Sequence, residues 1–557
     1  MDCAVNWWRT IALAFSIFSL LATAQLESAS CAEGKRLIEL WRESDGITVV
    51  ALGDSITAGV GLREPQNECY ASLVSSMLAK WLAPTRVRLI THGIPGATAD
   101  VGLREIESVL KYSPDLVLIQ FGGNDSRLRR PIDEIKGNLI GMIKALLREK
   151  SKTAILLIVP PFQTPAPNSP VAEAIREIGR EAGVIVADFD KVLHECEHDF
   201  RGWFSPPPSH PGEYSHVLMA KELWNALLQL VGVEHSLDVH IGSGITWVTE
   251  GSSIDIPVAL INRSRKAMDV NMIVDHAGVW HNWLMTVDAS SSAQPKLKVK
   301  PPIETSLRFV RERITAIARC GEDFDWDVKW ATWTPAFYCD KGGMWLGERR
   351  IDGWLEFATN EHVVVGGNRW RGPDDLSFRL RLERSEDGEA INLNISVRDD
   401  VVVVKPTWDF KCLFSGDCVE VFVDHRPIHQ QGKPFFSKDV TMIAIVPGSK
   451  SLRVASWYFD EVEPTFSPPS GRWVEAKLKS EFTASGYDVE LTIPMSVFNG
   501  LPAVSFDVLV DDTDDRSGRK TQMAAFGWED DFRNTSPFAL LLLKRLKTLP
   551  RWRLTVN

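Results

Sequence analysis

The sequence predicts a multidomain chain: a three-layer α/β domain on a parallel sheet, then two β-sandwich domains. Three observations predict it. The chain has 557 residues, 44% of them hydrophobic, which at roughly 100 to 200 residues per domain makes room for about three cores. From about Thr48 to Leu230, short apolar runs alternate with longer amphipathic segments, the pattern of a parallel sheet covered by helices. After Val231 the texture changes to strand-like alternation broken by Gly, Ser and Asp turns, which predicts antiparallel sheets packed face to face.

The apolar runs Val49–Leu52, Val87–Ile90, Leu116–Ile119, Ala154–Ile158 and Val184–Val186 are short and rich in β-branched residues or leucine, as strands buried on both faces require. Between them, apolar residues recur every three to four positions in Cys69–Trp81, Ala99–Lys111, Ile132–Glu149, Val171–Ala182 and Ser215–Val231, which predicts helices. Ile254–Leu260 and Asn271–Val274 open the all-β part, with Ser290–Ser292 and Pro301–Pro302 read as loops. Leu376–Leu382, Ile391–Val397, Val419–Val423, Val489–Ile493 and Phe506–Val510 are the later strands. The expected organisation is a signal peptide at 1–24, an α/β domain at 45–232, a spacer sandwich at 235–335 and a second sandwich at 342–548.

The formal charge is −11, from 62 Lys and Arg against 73 Asp and Glu, so long-range attraction to nucleic acid or anionic lipid gains no support. Ile11–Ala24 is apolar but too short to span a bilayer, so no integral membrane span is expected. Its A-x-A ending at Ala24 reads as a signal-peptide cleavage site, and the expected location is secreted, periplasmic or cell-surface. A lipidated Cys31 is the competing reading of this segment. Beyond residue 24 seven cysteines remain; Cys412 with Cys418 and Cys320 with Cys339 are the pairs that spacing suggests, and spacing alone establishes neither. None has zinc-site spacing with histidines. No cofactor and no metal is expected.

Four blocks carry chemistry. Gly53-Asp54-Ser55-Ile56-Thr57 follows the first strand, Gly93-Ile94-Pro95-Gly96 the second and Gly122-Gly123-Asn124-Asp125 the third, while Ser209-His210-Pro211 precedes the last helix. A serine at a strand-to-helix turn presents its hydroxyl at the carboxyl end of a parallel sheet, where crevice ligands bind. Singly, each block also reads as an ordinary turn, strand exit or helix start. Their order and joint placement make the signal. Asp54 reads as structural, its carboxylate bonding nearby backbone N–H groups, and His216 as a packing or hydrogen-bonding residue.

Over about Thr48–Leu230 the chain resembles the SGNH, or GDSL-type, hydrolase superfamily, and the resemblance implies a flavodoxin-like layering and a serine esterase. It implies Ser55 as nucleophile, His210 as general base, and Gly96 and Asn124 with the Ser55 N–H as oxyanion donors, each donor worth roughly 3 to 4 kcal/mol in such enzymes. The chain departs from the family at Pro207, where an Asp three residues before the histidine is usual. Three readings stay open: a Ser-His dyad, an acid supplied by Glu195, Glu197, Asp199 or Glu213, or a weakened enzyme.

A looser resemblance, to a family-9 carbohydrate-binding module, rests on Ile351–Trp354, Leu393–Asp400, Gly416–Asp424 and Gly486–Pro494. It implies a sandwich that holds sugars against aromatic faces. Trp408, Trp457, Trp473 and Trp528 are candidates for stacking, with core packing as the preferred reading of each. Asp511–Asp515 could gather oxygen ligands for calcium; a solvated acidic turn is the preferred reading. The function expected is a secreted serine esterase that deacetylates a polysaccharide or another carbohydrate ester, so the partners are a carbohydrate ester or other small ester and a polysaccharide. The alternatives are a glycan-binding surface protein whose hydrolase domain is weakened or inactive, and a lipid or aryl esterase.

Overall fold

The computed structural model describes residues 34–149, 153–162, 169–195, 210–302, 307–341, 343–405, 416–431, 439–456, 468–514, 520–527, 535 and 537–556. The signal peptide, Cys31, Cys196, Glu197, Asp199, Pro207, Cys412, Trp408, Trp457 and Trp528 lie outside the described residues.

Five parallel strands form the first sheet: β1 (Gly46–Gly53), β2 (Arg86–Gly93), β3 (Leu116–Gln120), β4 (Ala154–Val159) and β5 (Ile185–Asp188), in the order β2-β1-β3-β4-β5. Every residue of β3 and β4 is buried, because helices cover both faces. Successive side chains of a strand point to opposite sides. Val49 and Ala51 therefore join the core under helices Tyr70–Leu82 and Glu213–Leu230. Val50 and Leu52 join the core under Ala99–Leu110, Ile132–Glu149 and Pro170–Ala182. Each large apolar side chain so withdrawn from water contributes about 1.5–3 kcal/mol. Helix Pro170–Ala182 illustrates the local signals: Pro170 opens it, where a missing N–H costs nothing. Gly183 at φ +65° ends it, its N–H returning to the Gly179 carbonyl, the left-handed stop glycine makes cheaply.

The β-rich part is anchored on this domain. Residues Val310–Cys320 and Asp323–Asp340 form a hairpin whose Ile317, Phe324, Trp326, Val328 and Trp330 enter the core of the Tyr70–Leu82 and Glu213–Leu230 layer. Trp81 Nε1 donates to the Glu322 carbonyl at 3.1 Å and Trp224 Nε1 to that of Phe324 at 3.2 Å. Lys221 Nζ lies 2.7 Å from Asp325 Oδ1.

Strand Asp323–Asp340 runs through residue 335, where the spacer was expected to end. It pairs with Val310–Cys320, with Ala539–Leu542 and with the late strand Trp552–Val556, which in turn pairs with Gly244–Val248. Among the described residues, one 15-stranded sheet thus spans both expected β regions. A separate sheet runs in the order Leu355–Phe357, Leu376–Arg384, Ala390–Asp399, Gly486–Pro494, Lys477–Thr483. Its Phe378, Leu380, Ile395 and Val489 share a core with Val421, Ile443 and Val508 of the larger sheet.

Three expectations are corrected. Ser291–Ala293 is a strand paired with Ile254–Asn262, not a loop. Cys320 and Cys339 do not bridge: both are free, and Cys320 sits opposite Asp323 while Cys339 lies at the far end of Asp323–Asp340. At about 3.3 Å per residue that is a separation of roughly 50 Å, far beyond disulfide reach. Asp511 and Asp512 are no solvated turn, since strand Ala503–Asp512 carries both into the interior, 0% and 1% exposed. Trp473 is buried, as its core reading expects. Among the described residues, no helix is long and apolar enough to cross a membrane.

Candidate active site

The strand registers bring three of the four blocks to one level. Gly53 at the end of β1 lies opposite Gly93 of β2 and Gln120 of β3, so the loops after the three strands leave the sheet side by side. Chain order reverses on either side of β1, and crevices form at such a switch.

Glycine is required at that rim. A Cβ on Gly53 would lie 2.1 Å from Thr57 Oγ1 and 2.8 Å from the Gln120 carbonyl, and one on Gly93 would lie 2.3 Å from the Ala58 nitrogen. The chain therefore folds tightly over the end of β1. Ala58 N–H donates to the Asp54 carbonyl at 3.0 Å and Val60 N–H to that of Ser55 at 3.0 Å. Asp54 Oδ1 accepts the Ile56 N–H at 2.9 Å, the Asx geometry expected of it. Burial pushes the Asp54 carboxyl up to about 6, with Asp125 adding to the rise and hydrogen bonds from Ile56 and Gln120 opposing it.

The loop after β2 is a turn with Pro95 and Gly96 at its centre: Ala97 N–H donates to the Ile94 carbonyl at 3.0 Å, and Gly96 adopts φ +79°. Proline followed by a left-handed glycine is what a type II turn asks for. Asp125, buried behind it, accepts the Ala99 N–H at 3.1 Å with each oxygen, and so ties the loop after β3 to the first turn of helix Ala99–Leu110. The Asn124 amide reaches the same place, donating to the Ala97 carbonyl at 2.9 Å, with Asp54 Oδ2 at 3.5 Å.

His210 stands just before helix Glu213–Leu230. Its Nε2 lies 2.8 Å from Ser55 Oγ across 155 residues of sequence, within the reach a proton transfer needs. Both side chains are half-buried. Ser55 and His210 are thus brought together, while Asn124 reaches Ala97 and Asp54 and Gly96 sits in the turn after β2. Of the acids considered for His210, Glu213 pairs with Arg311 at 3.3 Å and Glu195 lies 3.8 Å from Lys191.

Sequence reasoning missed the polar chain beneath the serine turn. Thr57 Oγ1 donates to Gln120 Oε1 at 2.8 Å and lies 2.8 Å from the Tyr70 hydroxyl. The Tyr70 N–H donates to His216 Nδ1 at 3.1 Å, and the two rings stack at 6.0 Å. Burial holds His216 down to about 3, with His210 lowering it further, so His216 is a neutral acceptor. Its expected packing role holds. The signal available in the sequence was Gln120, the one polar residue ending an otherwise apolar strand.

Residues 51–217 match the sequence profile of the GDSL-like lipase/acylhydrolase family. Over 201 residues the chain is 30% identical to the esterase TesA of Pseudomonas aeruginosa, covering 35% of this chain and 94% of that protein. The chain belongs to the GDSL-like lipase/acylhydrolase family. An arylesterase of Vibrio mimicus is 32% identical over 110 residues, 20% of this chain and 52% of that one. Among solved structures, the crystal structure of TesA aligns with 33% of this chain and 99% of its own at 23% identity, with a TM-score of 0.28. A two-domain esterase active on acetylated mannans aligns with 53% of this chain and 93% of its own at 16% identity, with a TM-score of 0.32. The GDSL hydrolase domain acts on esters.

A cavity of about 360 Å³ opens between this GDSL domain and the hairpin strand Val310–Cys320, lined by Arg63, Glu64, Asn67, Glu68, Arg311, Arg313 and Trp330. Arg311 lies over the Trp330 ring at 4.8 Å. Burial lowers Arg63 and Arg313, and the charges of Arg311 and Arg308 lower Arg63 further.

Proposed function

We propose that the protein is an exported serine esterase that removes acetyl groups from a polysaccharide or another carbohydrate ester. The observation that carries this reading is the 2.8 Å separation of Ser55 Oγ and His210 Nε2. In the proposed reaction His210 takes the Ser55 hydroxyl proton as Oγ bonds to the ester carbonyl carbon. The N–H groups of Ser55 and Gly96 and the Asn124 amide hold the resulting oxyanion. The C–O bond to the alcohol then breaks, and the imidazolium returns its proton to the departing oxygen. Water repeats the cycle in reverse to release acetate.

Two features support a sugar over a long acyl chain. The cavity beside Val310–Cys320 is lined mostly by charged and polar groups, which suit hydroxyls better than hydrocarbon. A second hollow, about 250 Å³, lies on the outer face of the antiparallel sheet that holds Leu376–Arg384 and Ala390–Asp399, where Trp354 stacks under Arg379 at 5.0 Å among Asn394, Ser396, Lys479 and Glu481. An aromatic face ringed by polar side chains is the chemistry that holds a sugar. In this reading the last β region tethers polysaccharide and raises the local concentration of ester groups. The test is acetate release from an acetylated polysaccharide beside hydrolysis of a long-chain acyl ester. Faster turnover of the polysaccharide, and its retention lost in Trp354→Ala, supports the proposal. A preference for the long acyl chain overturns it in favour of a lipid esterase.

A further inference from the structure

The strands that anchor the β-rich part also carry a row of cations beside the hydrolase domain. Arg311, Arg313 and Thr315 alternate along Val310–Cys320 and so point to one side of the sheet. Residues opposite one another in an antiparallel pair share a side as well. Arg313 lies opposite Trp330, Thr315 opposite Asp275, and Asp275 opposite Trp280. Trp330 belongs to the core shared with the hydrolase helices, so this side faces the hydrolase domain, and Trp280 carries it out to solvent at 60% exposure. Lys80, on helix Tyr70–Leu82, meets the row from the hydrolase side, with Nζ 6.0 Å from the centre of the Trp280 ring.

The charges along this row are unequally matched. Arg311 has its counter-charges in Glu68 and Glu213, at 2.6 and 3.3 Å, and Glu64 Oε2 accepts from Asn67 Nδ2 at 3.0 Å. Arg313 Nη1 reaches the Asn67 carbonyl at a long 3.5 Å, and its Nε is buried without a hydrogen-bond partner. Among the described residues neither Arg313 nor Lys80 forms an ion pair; Asp275 acts on both from a distance, and its Oδ1 accepts the Gly278 N–H at 3.2 Å. Both cations are half-buried, where a missing counter-charge is costly. In a chain of net charge −11, such a row is not the general character of the surface.

The row begins at the esterase site. The cavity of about 360 Å³ has Arg311 and Arg313 on one wall and Arg63–Glu68, the segment after the serine turn, on the other. Arg311 also holds Glu213, three residues beyond His210. An extended ligand leaving the Ser55–His210 pair by this cavity passes Arg313 and Lys80 and arrives at Trp280.

We propose that this face binds the acidic sugars of a uronate-containing acetylated polysaccharide, with carboxylates on Arg313 and Lys80 and a sugar ring stacked on Trp280. The inference rests on the carbohydrate-esterase reading and names its substrate class. A guanidinium presents paired N–H donors to a planar carboxylate, an ammonium adds a second point of charge, and an exposed indole takes the C–H face of a sugar. Because the whole chain is negative, attraction to a polyanion acts at contact and not through long-range steering.

The test measures acetate release by the full-length protein from O-acetylated polygalacturonate and from O-acetylated mannan, with p-nitrophenyl acetate as the small neutral ester. The expected kcat/KM is higher on the polyuronate by about tenfold or more, as two ion pairs would give. Lys80→Gln and Arg313→Gln should each raise KM on the polyuronate by about threefold or more, with mannan and p-nitrophenyl acetate turned over as by the wild type. High salt should weaken the wild type in the same selective way, and Trp280→Ala should raise KM on both polymers. If Arg313→Gln fails to fold, Lys80→Gln and Trp280→Ala decide. Equal or better turnover of the mannan, or a wild-type KM on the polyuronate in the variants, overturns the proposal and leaves the carbohydrate-esterase reading standing. Hydrolysis of p-nitrophenyl acetate with no acetate from either polymer removes that reading, and this inference with it.

Discussion

The guanidinium of Arg311 lies 2.6 Å from Glu68 and 3.3 Å from Glu213. A strand of the β-rich part therefore grips the segment after the serine turn and the start of the helix that follows His210. Glu68 is otherwise fixed by the N–H groups of Arg63 and Glu64, at 3.1 and 3.0 Å. The ester-hydrolysing domain is thus held in shape partly from outside.

Arg311→Ala should therefore cost about 3–5 kcal/mol, the range for stripping one partner from a buried ion pair, because Glu68 and Arg311 are both nine-tenths buried or more. Calorimetry and ester hydrolysis on the same preparation check it. The expected outcome is a lower Tm with a lower kcat; an unchanged Tm contradicts it.

His216 gives an acid-side prediction. Its folded value, about 3, lies below its ordinary 6.5, so between these limits the unfolded chain binds a proton that the folded chain refuses. The stabilising contribution is complete above about pH 6.5 and falls as pH drops toward 3, by up to about 1.4 kcal/mol per unit. Relative to wild type, His216→Gln should gain stability steadily as pH falls through this window. Urea unfolding of both proteins at pH 7, 6, 5 and 4 measures it, and parallel curves would refute the assignment.

Asn124→Ala should lower kcat by about 10²- to 10³-fold with little change in KM, as expected when a donor acts mainly in the transition state. Steady-state kinetics on a soluble acetyl ester tests this. A rise in KM at constant kcat would mean that Asn124 binds substrate and does not stabilise the oxyanion.

Much of the hydrolase fold was legible because strands buried on both faces must be short apolar runs, and the motif blocks sit where those runs stop. The Pro95-Gly96 turn and the Asp54 Asx contact follow from local chemistry alone. What could not be read depends on distant pairing. Residues 336–338 meet 540–542 across two hundred residues, and no local pattern announces that partnership. Asp511 and Asp512 look like turn residues, and only tertiary packing decides that they are inside. The chain Gln120, Thr57, Tyr70 and His216 joins four separate segments, so its members look unrelated in sequence.

The most direct test of the esterase mechanism is hydrolysis of p-nitrophenyl acetate by the intact protein and by Ser55→Ala, with circular dichroism to show that both are folded. The proposed chemistry predicts a loss of roughly 10³-fold or more in kcat/KM for the variant. Equal rates in the two folded proteins would contradict it, and would leave Ser55 and His210 as neighbours without a shared reaction.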